Sequence, residues 1–176
     1  MTDVEWWKNI ASAVQSFGTV SLGLLGGGWA YWKFGIKQDR YPHIETSAEI
    51  CFIGKHNNEW IVELVTFVDN KGSAQHRMEE FSFDLSALNY DEQLTDADAY
   101  GGQVLFPHSI KKGSYLGHYK YFIVDAGVKA KYSFITRVPT TASFLILHSW
   151  FSYGDKRKFS HAAETTVKVP EDTTKN

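Results

Sequence analysis

Residues Trp60 to Gly72 read WIVELVTFVDNKG. Successive side chains of an extended chain point to opposite faces, so Trp60, Val62, Leu64, Thr66 and Val68 line one face of a strand. Ile61, Val65 and Phe67 occupy the other. The run ends at Asp69-Asn70-Lys71-Gly72-Ser73, a turn signal in which Asn and Gly suit positive φ. Upstream, Ile44, Thr46, Ala48, Ile50 and Phe52 share one face of a first strand. Downstream, Phe81, Phe83 and Leu85 alternate with Glu80, Ser82 and Asp84. The same period recurs over Val104–Phe106, Tyr119–Val124, Tyr132–Val138, Ser143–Tyr153 and Phe159–Val169, with Gly154-Asp155-Lys156 as a hairpin signal between the last two. This is a mainly β chain. Seven or eight short strands in about 130 residues, with no amphipathic helix among them, predict an antiparallel β-sandwich (immunoglobulin-like) or small barrel over 43–170.

The whole chain of 176 residues holds one such domain and little else. It is 43% hydrophobic, 22% charged and 15% aromatic, which supplies a core and excludes wholesale disorder. Cys51 is the single cysteine, so no internal disulfide and no cysteine-based zinc cluster forms, and a reducing compartment is favoured.

Ahead of the strands, Ile10 to Trp32 read IASAVQSFGTVSLGLLGGGWAYW, without one charged side chain. As a helix these residues reach about 35 Å, enough to cross a hydrocarbon core of about 30 Å. Trp6, Trp7 and Lys8 precede the run, and Trp29, Tyr31, Trp32 and Lys33 close it, an aromatic belt with lysines reaching the interface. Asp3 and Glu5 at the start argue against a cleaved signal peptide. The predicted layout is therefore a tail over 1–9, a transmembrane helix over 10–34, a charged linker over 35–42, the sandwich, and a disordered tail over 171–176. Lys33, Lys37 and Arg40 outweigh Lys8, which places the N-terminus outside and the sandwich in the cytoplasm, in a cell inner membrane. Gln15, Thr19, Gly23 and Gly27 fall at steps of four on one helix face, a stripe of small and hydrogen-bonding residues suited to helix association and a homo-oligomer.

Chemistry is sparse. There is no nucleophile elbow, no H-E-x-x-H, no phosphate-binding loop and no cofactor motif, so the reading is a non-enzyme with no catalytic residue and no metal. The acidic loop Asp91, Glu92, Asp96 and Asp98 lacks the ligand a calcium loop needs, since Pro107 stands at the twelfth position. His148 and His161 are expected to pair across the last hairpin, with ordinary half-buried histidines as the plainer alternative. Charge is asymmetric: 38–98 carries 13 acidic and 4 basic residues, whereas 99–161 carries 9 basic and 2 acidic ones. Within the basic half, His108 to Tyr121 reads HSIKKGSYLGHYKY. An anionic ligand such as a nucleotide, stacked on Tyr115 or Tyr119 with Lys111, Lys112, Lys120, Lys129 and Lys131 on its phosphates, is one reading. Solvated lysines, the membrane surface and head-to-tail subunit contact are the others.

The single span ending in Gly-Gly-Trp-Ala-Tyr-Trp-Lys-Phe, followed by a sandwich whose second strand ends in Val-Asp-Asn-Lys-Gly, resembles uncharacterised bacterial membrane-anchored β-sandwich proteins. The organisation is similar to that of small transmembrane effectors of bacterial antiphage systems. That resemblance implies a domain that senses a nucleotide, helices that then perturb the membrane, and another protein of the same system as a partner. The alternative is a passive membrane scaffold that docks another protein.

Overall fold

The computed structural model describes residues 3–36, 43–97, 101–153 and 159–171. The chain divides into two compact units, Met1–Pro42 and His43–Asn176.

The first unit is one helix. α1 spans Asp3–Ala30 and is about 42 Å long. A π-helical turn, Tyr31–Ile36, extends it, so helical structure runs into the segment expected to be linker; 37–42 lie outside the described residues. Val14, Phe17, Leu22, Leu24 and Leu25 are all exposed, a distribution that suits lipid and not water. Trp6 and Trp7 pack edge to face at 5.0 Å, and the Lys33 ammonium stands 4.6 Å from the Trp29 ring. The helix over Trp6–Lys33 is long and apolar enough to cross a membrane. Gln15, Thr19, Gly23 and Gly27 are exposed on it, and Thr19 donates to the Gln15 carbonyl at 2.9 Å, so its hydroxyl is satisfied within its own helix.

The second unit is an antiparallel β-sandwich. Its strands are β1 (Ile44–His56), β2 (Glu59–Asn70), β3 (His76–Asn89), β4 (Asp96–Ala97), β5 (Gln103–Val104), β6 (His108–Ser114), β7 (Tyr121–Val124), β8 (Lys129–Pro139), β9 (Ala142–Tyr153) and β10 (Phe159–Lys168). One sheet has the order β1-β2-β8; the other has the order β10-β9-β3-β6, with β7 also on β3. β4 and β5 form a separate two-stranded ribbon. The core lies between the sheets: Ala48, Ile50, Val62, Leu64 and Val138 from the first meet Phe83, Leu85, Ala87, Leu145 and Leu147 from the second.

Several expectations need correction. The first strand runs four residues past Phe52 and turns at Asn57-Asn58, with Asn57 left-handed at φ 53°. The turn after β2 uses no positive φ. Instead Asn70 is fully buried, its amide donating to the carbonyls of Ala74, Val124 and Asp125 at 2.8, 3.1 and 3.2 Å while its Oδ1 accepts from Gly72 N at 3.1 Å. The strand expected at Val104–Phe106 shrinks to β5, and His108–Ser114, read as a basic stretch, forms a strand. The signal at Gly154-Asp155-Lys156, and the tail after Glu171, fall outside the described residues.

Strand β3 organises its sheet. Opposite β9 its register slips between Glu79 and Ser82, so Glu80 and Phe81 together face Phe151, and Glu80 takes a left-handed φ of 53°. The bulge frees the Phe81 carbonyl from the ladder, and Tyr115 N at 3.0 Å and Ser114 Oγ at 2.9 Å satisfy it. β6 covers Ser82–Ala87 and β7 covers His76–Glu79 on the same side of β3, with 115–120 turning between them. Gly113 sits where this edge is tightest: a Cβ there would lie 2.7 Å from Phe83 Cζ. Gly113→Ala is expected to cost about 1–3 kcal/mol in a denaturation midpoint, because Phe83 is fully buried and its ring has nowhere to go.

Candidate functional site

The charge asymmetry of the sequence is spent on strand pairing. The acidic strands β2 and β3 lie directly beside the basic strands β8 and β6. Lys131 meets Glu63 at 3.0 Å, Arg137 meets Glu59 at 3.3 Å, and Lys112 meets Asp84 at 2.7 Å. The Lys131 ammonium, with Ser133, holds the Glu63 carboxyl below the usual carboxylate range.

The seven residues expected to bind an anion are consequently not gathered. Lys111 and Lys112 lie on β6 in one sheet, Lys129 and Lys131 on β8 in the other. Lys129 stands 4.7 Å above the Phe67 ring. Tyr119 is exposed against His118 at 4.3 Å, beside exposed Lys120. Tyr115 points the other way: its ring packs on Phe81 and Phe83 at 4.7 and 4.9 Å, and its hydroxyl lies 3.4 Å from Ser149, which also accepts from Thr66 at 3.0 Å. Burial pushes the Tyr115 phenol up. The stretch from His108 to Tyr121 thus completes the edge of β3 and plugs the core.

The histidine expectation is also revised. β9 and β10 pair with His161 opposite Phe151 and His148 opposite Glu164, so the two histidines occupy different faces of the sheet. His161 stacks on Tyr153 and Phe151, and its Nε2 is 2.8 Å from the Tyr153 hydroxyl. Burial lowers its pKa. The unfolded chain therefore takes a proton at a pH where the folded ring stays neutral, and stability present above about pH 6.5 is lost as pH falls below it. His161→Phe keeps the stack and is expected to flatten this acid-side loss when unfolding is compared at pH 7.5 and pH 5.

A concave feature of the domain is on the outer face of the β10-β9-β3-β6 sheet. A groove of about 650 Å³ is lined by Ile146, His148 and Trp150 of β9, Asp84 and Ser86 of β3, Glu164 of β10, and Gln103, Val104, Leu105 and Phe106. The last four are placed by the β4–β5 ribbon and by Leu105 N donating to Thr95 O at 2.8 Å. Across the floor runs a row of charge set by register: Lys112 opposite Asp84, Asp84 opposite His148, His148 opposite Glu164. Asp84 Oδ2 takes the lysine, whereas its buried Oδ1 has no hydrogen-bond partner among the described residues. Glu164 accepts from Gln103 at 3.3 Å, and its other oxygen is 3.6 Å from His148 Nδ1, too far for a hydrogen bond. Trp150 and Leu105 keep 37% and 40% of their surface exposed, which leaves an apolar wall open to solvent. Among the described residues no group of three or more His, Cys, Asp or Glu is placed to hold a metal ion. Glu92 of the acidic loop is engaged locally, by Asn89 N at 2.9 Å and His108 at 2.6 Å, and both hold its carboxyl below the usual range.

Sequence reasoning missed this groove, although β9 carries a signal for it. Phe144, Ile146, His148 and Trp150 alternate with the buried Leu145, Leu147, Ser149 and Phe151, so the strand is bulky on its outward face as well.

No family model matches the chain, and no curated protein matches it. Among solved structures, the domain is similar to the ApaA protein of Bordetella pertussis, with a TM-score of 0.48 and 12% identity over 74% of this chain and 97% of that one. It is similar to Spo0M, a sporulation control protein of Bacillus subtilis, with a TM-score of 0.41 and 11% identity over 71% and 50%. A protein of Archaeoglobus fulgidus gives a TM-score of 0.35 and 9% identity over 72% and 99%. Likeness of this degree says nothing of what the domain binds.

Proposed function

We propose that this chain is a single-pass membrane protein whose sandwich, on the cytoplasmic side, recognises a ligand through the groove over β9. The observation that carries the reading is the groove itself: an open apolar wall beside the half-exposed carboxylate of Glu164. The exposed apolar helix supplies the anchor, and its Gln15, Thr19, Gly23 and Gly27 face supports self-association. Coupling of ligand to helix rearrangement is the effector version of this function; a docked protein with no small ligand is the scaffold version.

Two experiments test it. Cys51 is the single cysteine and is exposed on the domain. A membrane-impermeant maleimide should label it only after lysis of spheroplasts; labelling of intact spheroplasts would place the domain outside. For recognition, the low-molecular-weight fraction of a cell extract should raise the unfolding temperature of the full chain in detergent. A ligand at 100 times its Kd adds about 2.7 kcal/mol, a shift of several degrees. Ser86→Trp, which fills the floor, should abolish the shift. A shift that survives the filled groove, or none at all, would move the function to protein docking.

A further inference from the structure

We infer that the groove takes an organic monocation: an ammonium or guanidinium group on an apolar body of small-molecule size. The inference rests on the groove being the recognition site and names the chemistry it selects. Among the described residues no Lys or Arg lines it. The lysine of the row, Lys112, is already held by Asp84 at 2.7 Å, so it offers an incoming anion little. Glu164 is the carboxylate of the row that has no lysine or arginine partner among the described residues. Its side chain is 45% exposed, its amide contact is long, and its histidine neighbour is out of hydrogen-bond range, so most of its acceptor capacity faces the groove. Asp84 Oδ1 on the same row is buried and has no hydrogen-bond partner among the described residues, so it adds negative potential beneath the groove and no direct contact. Along that row acceptors exceed donors, and a ligand that brings donors and a positive charge corrects the imbalance.

The apolar half has matching chemistry. The partly exposed indole of Trp150 stands on the same strand face as His148, with ring centroids 5.2 Å apart, and Ile146, Val104, Leu105 and Phe106 complete the wall. An indole face beside a carboxylate favours organic cations, through the ring quadrupole as well as the ion pair. At about 650 Å³ the groove falls in the range of small-ligand sites, about 300–1,000 Å³. A nucleotide meets the opposite arrangement: a leftover carboxylate where its phosphate would need a cation.

The test uses three compounds with one apolar body and different charge: benzylguanidine (cation), benzylurea (neutral) and phenylacetate (anion), with AMP as a nucleotide. The full chain is labelled with 5-fluorotryptophan in nanodiscs, and of its six tryptophans the Trp150 resonance is identified by its loss in Trp150→Phe. Benzylguanidine should shift that resonance saturably, and benzylurea and phenylacetate should not at the same concentration. Glu164→Gln should weaken benzylguanidine about tenfold, the size of one charge-assisted contact, while leaving the dispersion of the six fluorine signals unchanged as a check of folding. Movement of Trp150 by phenylacetate or AMP at equal or lower concentration would overturn the cation assignment and leave the groove as a recognition site. Indifference to Glu164→Gln would also overturn it. A Trp150 signal that no compound moves would overturn both.

Discussion

Phe81→Ala is expected to destabilise the sandwich by about 4 kcal/mol. The side chain is fully buried, and its ring lies 4.7 Å from Tyr115, 5.3 Å from Phe122, 5.2 Å from Tyr132 and 5.4 Å from Phe151. Those four rings come from 115–120, β7, β8 and β9, so a single truncation loosens contacts that hold both sheets together. Collapse into the cavity is hindered because Phe81 belongs to the bulge, where its carbonyl is fixed by Tyr115 N and Ser114 Oγ. Against a typical total of about 5–15 kcal/mol, the loss is a large share of the stability of the domain. Thermal unfolding of the full chain in detergent, followed by near-ultraviolet circular dichroism, should show a drop of about 15 °C. Phe81→Leu, which refills most of the volume, should recover more than half of it. A drop of only a few degrees for Phe81→Ala would show that the aromatic cluster is not what joins the sheets.

Asn70→Ala is expected to cost about 3–4 kcal/mol for a different reason. Its amide nitrogen carries two protons toward three carbonyls, those of Ala74, Val124 and Asp125, and its oxygen receives Gly72 N. The backbone of the same residue exchanges bonds with Val128 O and Gly127 N. One side chain thereby ties the end of β2 to the start of β3 and to the turn between β7 and β8. Truncation strands buried acceptors at about 1–3 kcal/mol for each that water does not reach. Asn70→Asp discriminates this account from simple packing, because it keeps the shape and removes the donors. A carboxylate set against three carbonyls has its folded pKa raised, so that variant should be weakest at neutral pH and regain stability as pH falls and the acid becomes a donor. Equal stability of Asn70→Asp and the parent at pH 7.5 would refute the hydrogen-bond account.

The sandwich was legible from period two alone because its inward faces are consistently apolar: Val62, Leu64 and Val68 on β2, Phe83 and Leu85 on β3, and Leu145 and Leu147 on β9. Local chemistry was less legible. Asp69-Asn70-Lys71-Gly72 looks like a positive-φ turn because Asn is common in such turns, yet here the side chain of Asn70 does the work from inside the core. The paired histidines failed through register: β9 and β10 put Glu164, not His161, opposite His148, and a hairpin signal in the sequence does not state the offset between the strands it joins. The charge halves were misleading in a useful way. Strands far apart in sequence and opposite in charge pair with each other, so a −9 and a +7 segment produce cross-strand ion pairs in place of a basic patch. The bulky outward face of β9 is written in its alternation, but the groove also needs the seating of Gln103–Phe106 beside that strand, which the sequence does not state.

The outer face over β9 is the proposed recognition face of this domain. The most direct measurement compares the fluorine resonances of Trp150 and Trp60 in the full chain on adding the low-molecular-weight fraction of a cell extract. Trp60 belongs to the other sheet and packs on Phe52 against the core at 5.7 Å, so it serves as a control away from the groove. Trp150 is expected to move and Trp60 to stay. Movement of Trp60 with Trp150 still, or of neither, would contradict it.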